Sequence, residues 1–324
     1  MSFIRQAGLV AAGVAGGQIV ILGATPYLAR IYTPEDFGQY AVFTSILTIL
    51  LTLSCLRYEV AIPVVPEEDI DKISIVALAA ALLVGFFTFI LLSTKLTSFW
   101  SSSYISLPEL SCLLVLATVF SGWLQVAVFR SIRSATFGLN FCLRVTQPVV
   151  FVTFAWYSRG VGLIAAHVAG LAVAALVGLI GSGCIRFFSA IKLEQLKTVA
   201  LRNKEYPLYS LPTAILDSIA LALPVLVISS NYGDDAAGNF SQVQRIIAAP
   251  LLLTGIAVGQ VFFRHSGALY RSGVPVGPLL WRTVFVLSGG GGCCCWPRRF
   301  GDTIFSIYFS AELGELIPYL CCLF

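Results

Sequence analysis

The chain has 324 residues, of which 58% are hydrophobic and 11% charged, with a mean hydropathy of +0.89 and a formal net charge of +4. Soluble domains carry about 25% charged residues, so no aqueous fold of this size hides so much apolar surface, and lipid must be the solvent for most of it. The twenty Lys and Arg are scattered without a dense basic block, which argues against nucleic acid as a partner.

About 20 apolar residues cross a bilayer core roughly 30 Å thick. That rule predicts spans near 7–29, 38–56, 73–92, 110–129, 139–157, 161–181, 208–230, 244–263 and 277–296. The expected fold is an all-α polytopic transmembrane helical bundle of about nine spans. The first apolar run is too long for a signal-peptide core, and no small-x-small cleavage site follows it, so it reads as a retained span. The fifth is interrupted by Arg144 and Pro148.

With the N-terminus cytoplasmic, thirteen basic residues fall on inner segments and only four, Arg30, Lys95, Arg159 and Arg245, on outer ones. That asymmetry sets the predicted orientation. The acidic stretch Glu67–Asp69 with Asp71 reads as a solvated inner loop. Residues 182–209 form a basic connector, either a plain solvated link or one carrying a short surface helix around Lys192 to Lys197.

A shift of 200 residues places Tyr32-x-x-Glu35-x-x-Gly38-x-Tyr40 on Tyr232-x-x-Asp235-x-x-Gly238-x-Phe240. Both stretches sit in a predicted outer loop, with acids before a helix and a glycine at its first turn. Spans one and two would then recur as seven and eight. A six-helix unit is even, so its two copies run the same way through the membrane as parallel repeats. The predicted organisation is a first bundle over 1–181, the connector at 182–209, the start of a second bundle over 210–287 and an anomalous tail over 288–324.

The cysteines are singletons at Cys55, Cys112, Cys142 and Cys184 or crowd into the last stretch, and none has metal-ligand or disulfide-framework spacing. There is no nucleophile beside a base, no catalytic carboxylate pair and no phosphate loop. Neither an enzyme nor a cofactor is expected.

Charge inside a span costs about 2.5–3.5 kcal/mol at the helix centre, so each case needs a reason. Asp217 lies within the seventh span, about six residues, roughly 9 Å, past Leu211. It is either a proton or sodium site, a cavity acceptor, or a polar group paired with a neighbouring helix. In the duplication it falls opposite Gly17 and Gln18, and Gln18 is a lining candidate. Tyr40, Thr44, Thr48 and Thr52 form a hydroxyl stripe that either lines a cavity or bonds back to its own backbone. His167 reads as a packing residue, and Glu59 as a neutraliser of Arg57.

Tyr27-Leu-Ala-Arg-Ile-Tyr-Thr-Pro-Glu-Asp-Phe-Gly-Gln-Tyr40 resembles the first loop of Wzx-type polysaccharide-unit flippases, the O-antigen and exopolysaccharide translocases of the MOP superfamily. Arg202-Asn-Lys-Glu-Tyr-Pro207, Gly238-Asn-Phe-Ser-Gln-Val-Gln-Arg245 and Gly259-Gln-Val-Phe-Phe-Arg264 follow in that family's order. The resemblance implies two helical bundles around a cationic cavity in the bacterial inner membrane. It implies a lipid-linked oligosaccharide on an undecaprenyl-pyrophosphate carrier as substrate, with membrane lipids, glycan polymerase and glycosyltransferases as partners. A pyrophosphate leaving water needs paired donors that stay ionised, which arginine supplies. Arg57, Arg144 and Arg245, with Gln18 and Asp217, are the substrate-binding candidates on that reading. A multidrug or ion-coupled exporter of the related branch, and a non-transporting scaffold or inert remnant, are the alternatives.

The run Ser288-Gly-Gly-Gly-Gly-Cys-Cys-Cys-Trp-Pro-Arg-Arg299 departs from the family pattern. Three Cys codons and a Trp codon read one base later give small apolar residues. The expectation is therefore a frame-disrupted, truncated end after residue 287.

Overall fold

The computed structural model describes residues 3–93, 108–134, 136–157, 162–183, 193–272 and 277. Every regular element among them is helical. In chain order these are α1 (Phe3–Leu28), α2 (Pro34–Ser54), α3 (Ile70–Ser93), α4 (Pro108–Arg133), α5 (Phe137–Tyr157), α6 (Gly162–Gly181), α7 (Leu193–Arg202), α8 (Leu211–Tyr232) and α9 (Asp234–Arg271). Among the described residues six stretches are long and apolar enough to cross a membrane: Pro34–Ser54, Glu67–Ser93, Ser111–Arg133, Gly138–Tyr157, Gly162–Gly181 and Tyr206–Tyr232. Eight of the nine expected spans thus coincide with helices. The ninth, 277–296, and the anomalous tail lie outside the described residues.

Packing is inverted relative to an aqueous protein. Ala77, Ala81, Ala117, Ala127, Ala166 and Ala174 are fully buried between helices, while Leu82, Leu83, Phe86, Phe87 and Phe89 stand exposed on α3. Lipid solvates large side chains as well as a core would. Small ones earn their interior places by letting backbones approach.

The fifth span, expected at 139–157, matches α5, and one boundary, before the eighth span, differs. Arg144 and Pro148 do not break α5, which runs unbroken from Phe137 to Tyr157. The expected loop before the eighth span shrinks to Gly233, held at φ +85° between α8 and α9. Polar residues over 234–244 lower the local hydropathy, yet they are helical. Asp234 and Asp235 favour a helix start through the macrodipole, and Ser229 Oγ donates to Asp234 Oδ1 at 2.6 Å. Arg245 therefore sits within α9 and not in a loop.

Helix α2 starts sharply. Thr33 Oγ1 accepts from the Asp36 amide at 3.3 Å while Asp36 Oδ2 accepts from the Thr33 amide at 2.8 Å, a reciprocal cap behind Pro34. Four residues in, the chain meets α9. A Cβ on Gly38 would collide with the Asp234 carbonyl oxygen, and one on Gly238 would lie 2.5 Å from the Pro34 carbonyl oxygen and 2.9 Å from the Gly38 nitrogen. Under the 200-residue shift, Gly38 maps to Gly238 and Pro34 to Asp234. The contact is its own image. Likewise α1 touches α9 as α8 touches α2. These are the reciprocal contacts expected of paired copies around a pseudo-twofold axis.

Because both glycines serve one crossing, Gly38→Ala and Gly238→Ala should each lower thermal stability in detergent by about 1–3 kcal/mol. The double variant should cost clearly less than the sum. Additive losses would mean that the two positions act independently.

Candidate functional site

Helix α2 ends at Ser54, and the chain then turns through Leu56 (φ +49°) and Arg57 (φ +62°). Left-handed backbone costs an L-residue about 1–2 kcal/mol, and two in succession mark a site where the surroundings dictate the conformation. The short 3-10 helix Tyr58–Ala61 follows, packed into a cluster of Cys55, Ala61, Ile62, Val65, Ile73 and Ala77. Burial pushes the Cys55 thiol up, reinforced by the nearby Glu59 charge.

Arg57 reaches across to the second group of helices. Its Nε donates to Ser210 Oγ at 3.3 Å, where a π-helical turn, Tyr206–Ser210, hands over to α8. Its guanidinium also acts electrostatically on Asp217, two turns further along α8. On the near side, Arg57 Nη1 lies 3.9 Å from Glu59 Oε1, as the neutralising reading anticipated. Glu59 is only 1% exposed. Burial pushes its carboxyl up to about 6, with Arg57 holding it lower than burial alone would. The fold thus gathers Arg57 and Asp217, two candidates distant in sequence, at one junction, together with Ser210, which no sequence signal singled out.

Beside this junction the acidic stretch divides: Glu67 and Glu68 are exposed, as the solvated reading expects, while Asp69 and Asp71 are ion-paired. Arg130 Nη1 donates to Asp71 Oδ1 at 2.7 Å and to Ser74 Oγ at 3.1 Å, and Nη2 to the Ser182 carbonyl at 3.4 Å. Arg133 Nη1 donates to the Pro63 carbonyl at 2.7 Å. Asp69 meets Lys72 at 2.8 Å and Arg202 at 3.7 Å. Arg202 ends α7, the connector's short surface helix, which buries Val199 and accepts a bond from Tyr58 Oη at the Ala200 carbonyl. Over its described part, 193–209, the connector is docked rather than free.

Arg144 occupies a second location. It lies seven residues, about 10 Å, into α5. Its Nε donates to Asn140 Oδ1 one turn back at 3.0 Å, and Asn140, fully buried, donates in turn to Ser131 Oγ at 3.3 Å. Helix α1 crosses here, because a Cβ on Gly17 would lie 2.7 Å from the Arg144 carbonyl oxygen. Gln18, half-buried, is the next residue along α1. Arg245 stands apart on α9, and only its place in that helix is described.

The hydroxyl stripe is spent on its own helix. Thr44, Thr48 and Thr52 donate to the carbonyls of Tyr40, Thr44 and Thr48. His167 Nδ1 lies 3.1 Å from Tyr40 Oη and its ring meets Phe151 edge-on, the packing role expected of it. Asn140 could have been read from its i−4 spacing to Arg144. Ser210 as a partner of Arg57, and Asp71 as a partner of Arg130, could not.

Six membrane-length helices, apolar outside and small-residued within, define a multi-pass membrane protein. Its fold is that of MOP-superfamily transporters. A multidrug-resistance MATE-family transporter in an outward-facing conformation is similar at 11% identity with a TM-score of 0.53, over 98% of this chain and 77% of that one. A MOP-superfamily transporter from Pyrococcus furiosus, whose binding pocket is described as reversed in polarity, is similar at 13% identity with a TM-score of 0.52, over 97% and 75%. No curated protein sequence matches. Residues 4–263 match the family described as "Polysaccharide biosynthesis protein", and the chain belongs to that family.

The Asp71–Arg130 pair is partly shielded, with Arg130 about one-tenth exposed. Asp71→Ala should lower stability by about 2 kcal/mol by stranding that guanidinium. Arg130→Met in the same chain should recover part of the loss in a thermal-unfolding assay. No recovery would show that the aspartate acts alone.

Proposed function

We propose that this chain is a flippase that carries lipid-linked oligosaccharide units, on an undecaprenyl-pyrophosphate lipid, across the bacterial inner membrane for surface polysaccharide assembly. The observation that carries the reading is the joint one: a polysaccharide-biosynthesis family match over residues 4–263 on a transporter fold. The N-terminus is placed on the cytoplasmic side by the thirteen-to-four distribution of basic residues. Residues 1–181 and 210–287 are read as two like-oriented bundles, an organisation that places substrate between them.

Arg144 is the strongest contact for the pyrophosphate. It lies within an apolar helix, keeps its charge, and has Asn140 to orient its guanidinium. Gln18 next to the same helix crossing supplies a neutral hydrogen-bonding group for sugar hydroxyls. Arg245 is the corresponding candidate on α9. Arg57 and Asp217 are read as contacts only at the edge of the cavity, since their partners lie at the junction between helix groups. The glycan polymerase and glycosyltransferases of the same assembly line are the proposed partners.

A second reading, export of drugs coupled to an ion, rests on the fold shared with a multidrug transporter at 11% identity. The family description favours the glycan. A non-transporting scaffold or inert remnant is the third. Complementation separates the three: expression in a strain lacking its polysaccharide flippase should restore surface glycan. Arg144→Ala should then reduce surface glycan at least about tenfold at unchanged protein level, corresponding to loss of one charge-assisted contact. Arg144→Lys should retain an intermediate level. Drug resistance without glycan would support the exporter, and neither phenotype the scaffold.

A further inference from the structure

Four features converge where the first group of helices meets α8. Leu56 and Arg57 both hold left-handed backbone. A π-helical turn, a rarity that concentrates at functional positions, ends at Ser210. Arg57 bonds across the junction to that serine. Glu59, 1% exposed, leaves Oε2 without a hydrogen-bond partner, and the rest of its support is its own backbone amide and Arg57 Nη1, 3.9 Å from Oε1. A buried carboxylate this poorly served is costly when charged.

We propose that Glu59 is a proton-binding site that sets a latch between the two helix groups. When Glu59 is charged it competes for Arg57. When it is protonated, Arg57 is left to Ser210 and Asp217, and the junction closes.

The linkage has a definite sign. A carboxyl buried in the closed junction holds its proton more tightly than one exposed to water in an opened junction. Burial already pushes Glu59 up to about 6. The closed form is therefore favoured in acid and loses that advantage as pH rises through about 6. Because the folded-state value is raised, the contribution is fully present below the ordinary carboxylate range.

Asp217 on α8 is the second carboxyl that acts on Arg57, and Glu59→Gln separates its response from that of Glu59. From α3, Asp71 is held by Arg130 and Lys72 by Asp69. From α4, Arg130 and Arg133 are engaged with Asp71 and the Pro63 carbonyl. Tyr58 donates to the Ala200 carbonyl and its phenol is pushed up by burial. The Cys55 thiol is likewise pushed up, away from neutrality. Tyr206 and Tyr209 from the π-helical turn, and Arg202 from α7, complete the set. The inference concerns the junction alone and stands whether or not the cargo is a glycan lipid.

Amide hydrogen exchange of residues 206–217 in the detergent-solubilised full chain, corrected for intrinsic rates, tests it. Exchange should be about tenfold slower at pH 5 than at pH 7.5, the span of roughly one unit of carboxylate shift. Glu59→Gln should hold the slow rate at both pH values. Arg57→Ala should exchange fast at both. Ser210→Ala, a milder change, should lower protection chiefly in acid and serves if Arg57→Ala does not fold. A wild-type chain with no pH difference in this segment, or Glu59→Gln with the wild-type difference intact, overturns the latch.

Discussion

The absence of a side chain at Gly38 and Gly238 is the constraint on which the rest of the architecture depends. Their crossing lets the backbones of α2 and α9 touch, so main-chain contact joins the two helix groups beside the small side-chain cluster of Ala41, Val225 and Ala237. In lipid there is no hydrophobic force to press helices together, and close approach with dispersion contact must do that work. The contact maps onto itself under the 200-residue shift. Each copy of the motif is thus the binding surface for the other, and a change on one side alters both.

Charge is handled by the same economy of contacts. The chain carries few charges, and most of the arginines described near helix ends are tied to a partner from another segment. Arg130 joins α4 to α3, Arg133 joins α4 to the loop after α2, and Arg57 joins that loop to α8. An arginine so engaged has donors already committed. Arg144 differs, since its only described side-chain acceptor lies on its own helix, one turn away. This difference in partners, more than depth in the membrane, is what the proposal of Arg144 as an anion contact rests on.

How far the fold could be read from sequence followed the length scale of each signal. Apolar runs of membrane length are local, and α1 to α6 and α8 appear close to where hydropathy puts them. The start of α9 did not, because Asp234 to Gln244 are polar while helix formation there depends on a one-residue turn at Gly233 and a capping acid. Pro148 left the bounds of α5 in place, since a long membrane helix tolerates a proline that a short soluble one would not. The duplication was legible because identical spacing recurs, although nothing in one sequence says that Gly38 and Gly238 meet. The site was half-legible. Asn140 stands one turn from Arg144, but Asp71 and Arg130, or Arg57 and Ser210, become neighbours only when helices pack.

Helix α2 carries the consequence of these facts. It has no internal proline, its threonines bond back to its own carbonyls, and it spans 21 residues, about 30 Å. It therefore behaves as a strut. One end rests on the Gly38–Gly238 crossing, which is van der Waals contact and indifferent to pH and salt. The other leads into Leu56 and Arg57, where the contacts are ionic, strained and partly unsatisfied. A rigid element with one apolar bearing and one titratable end transmits a change at the second to the first, because neither end can move without the other. The proposed latch therefore requires α2 to turn over its glycine bearing when the ionic end opens, so that the two helix groups shift while the contact that joins them is kept.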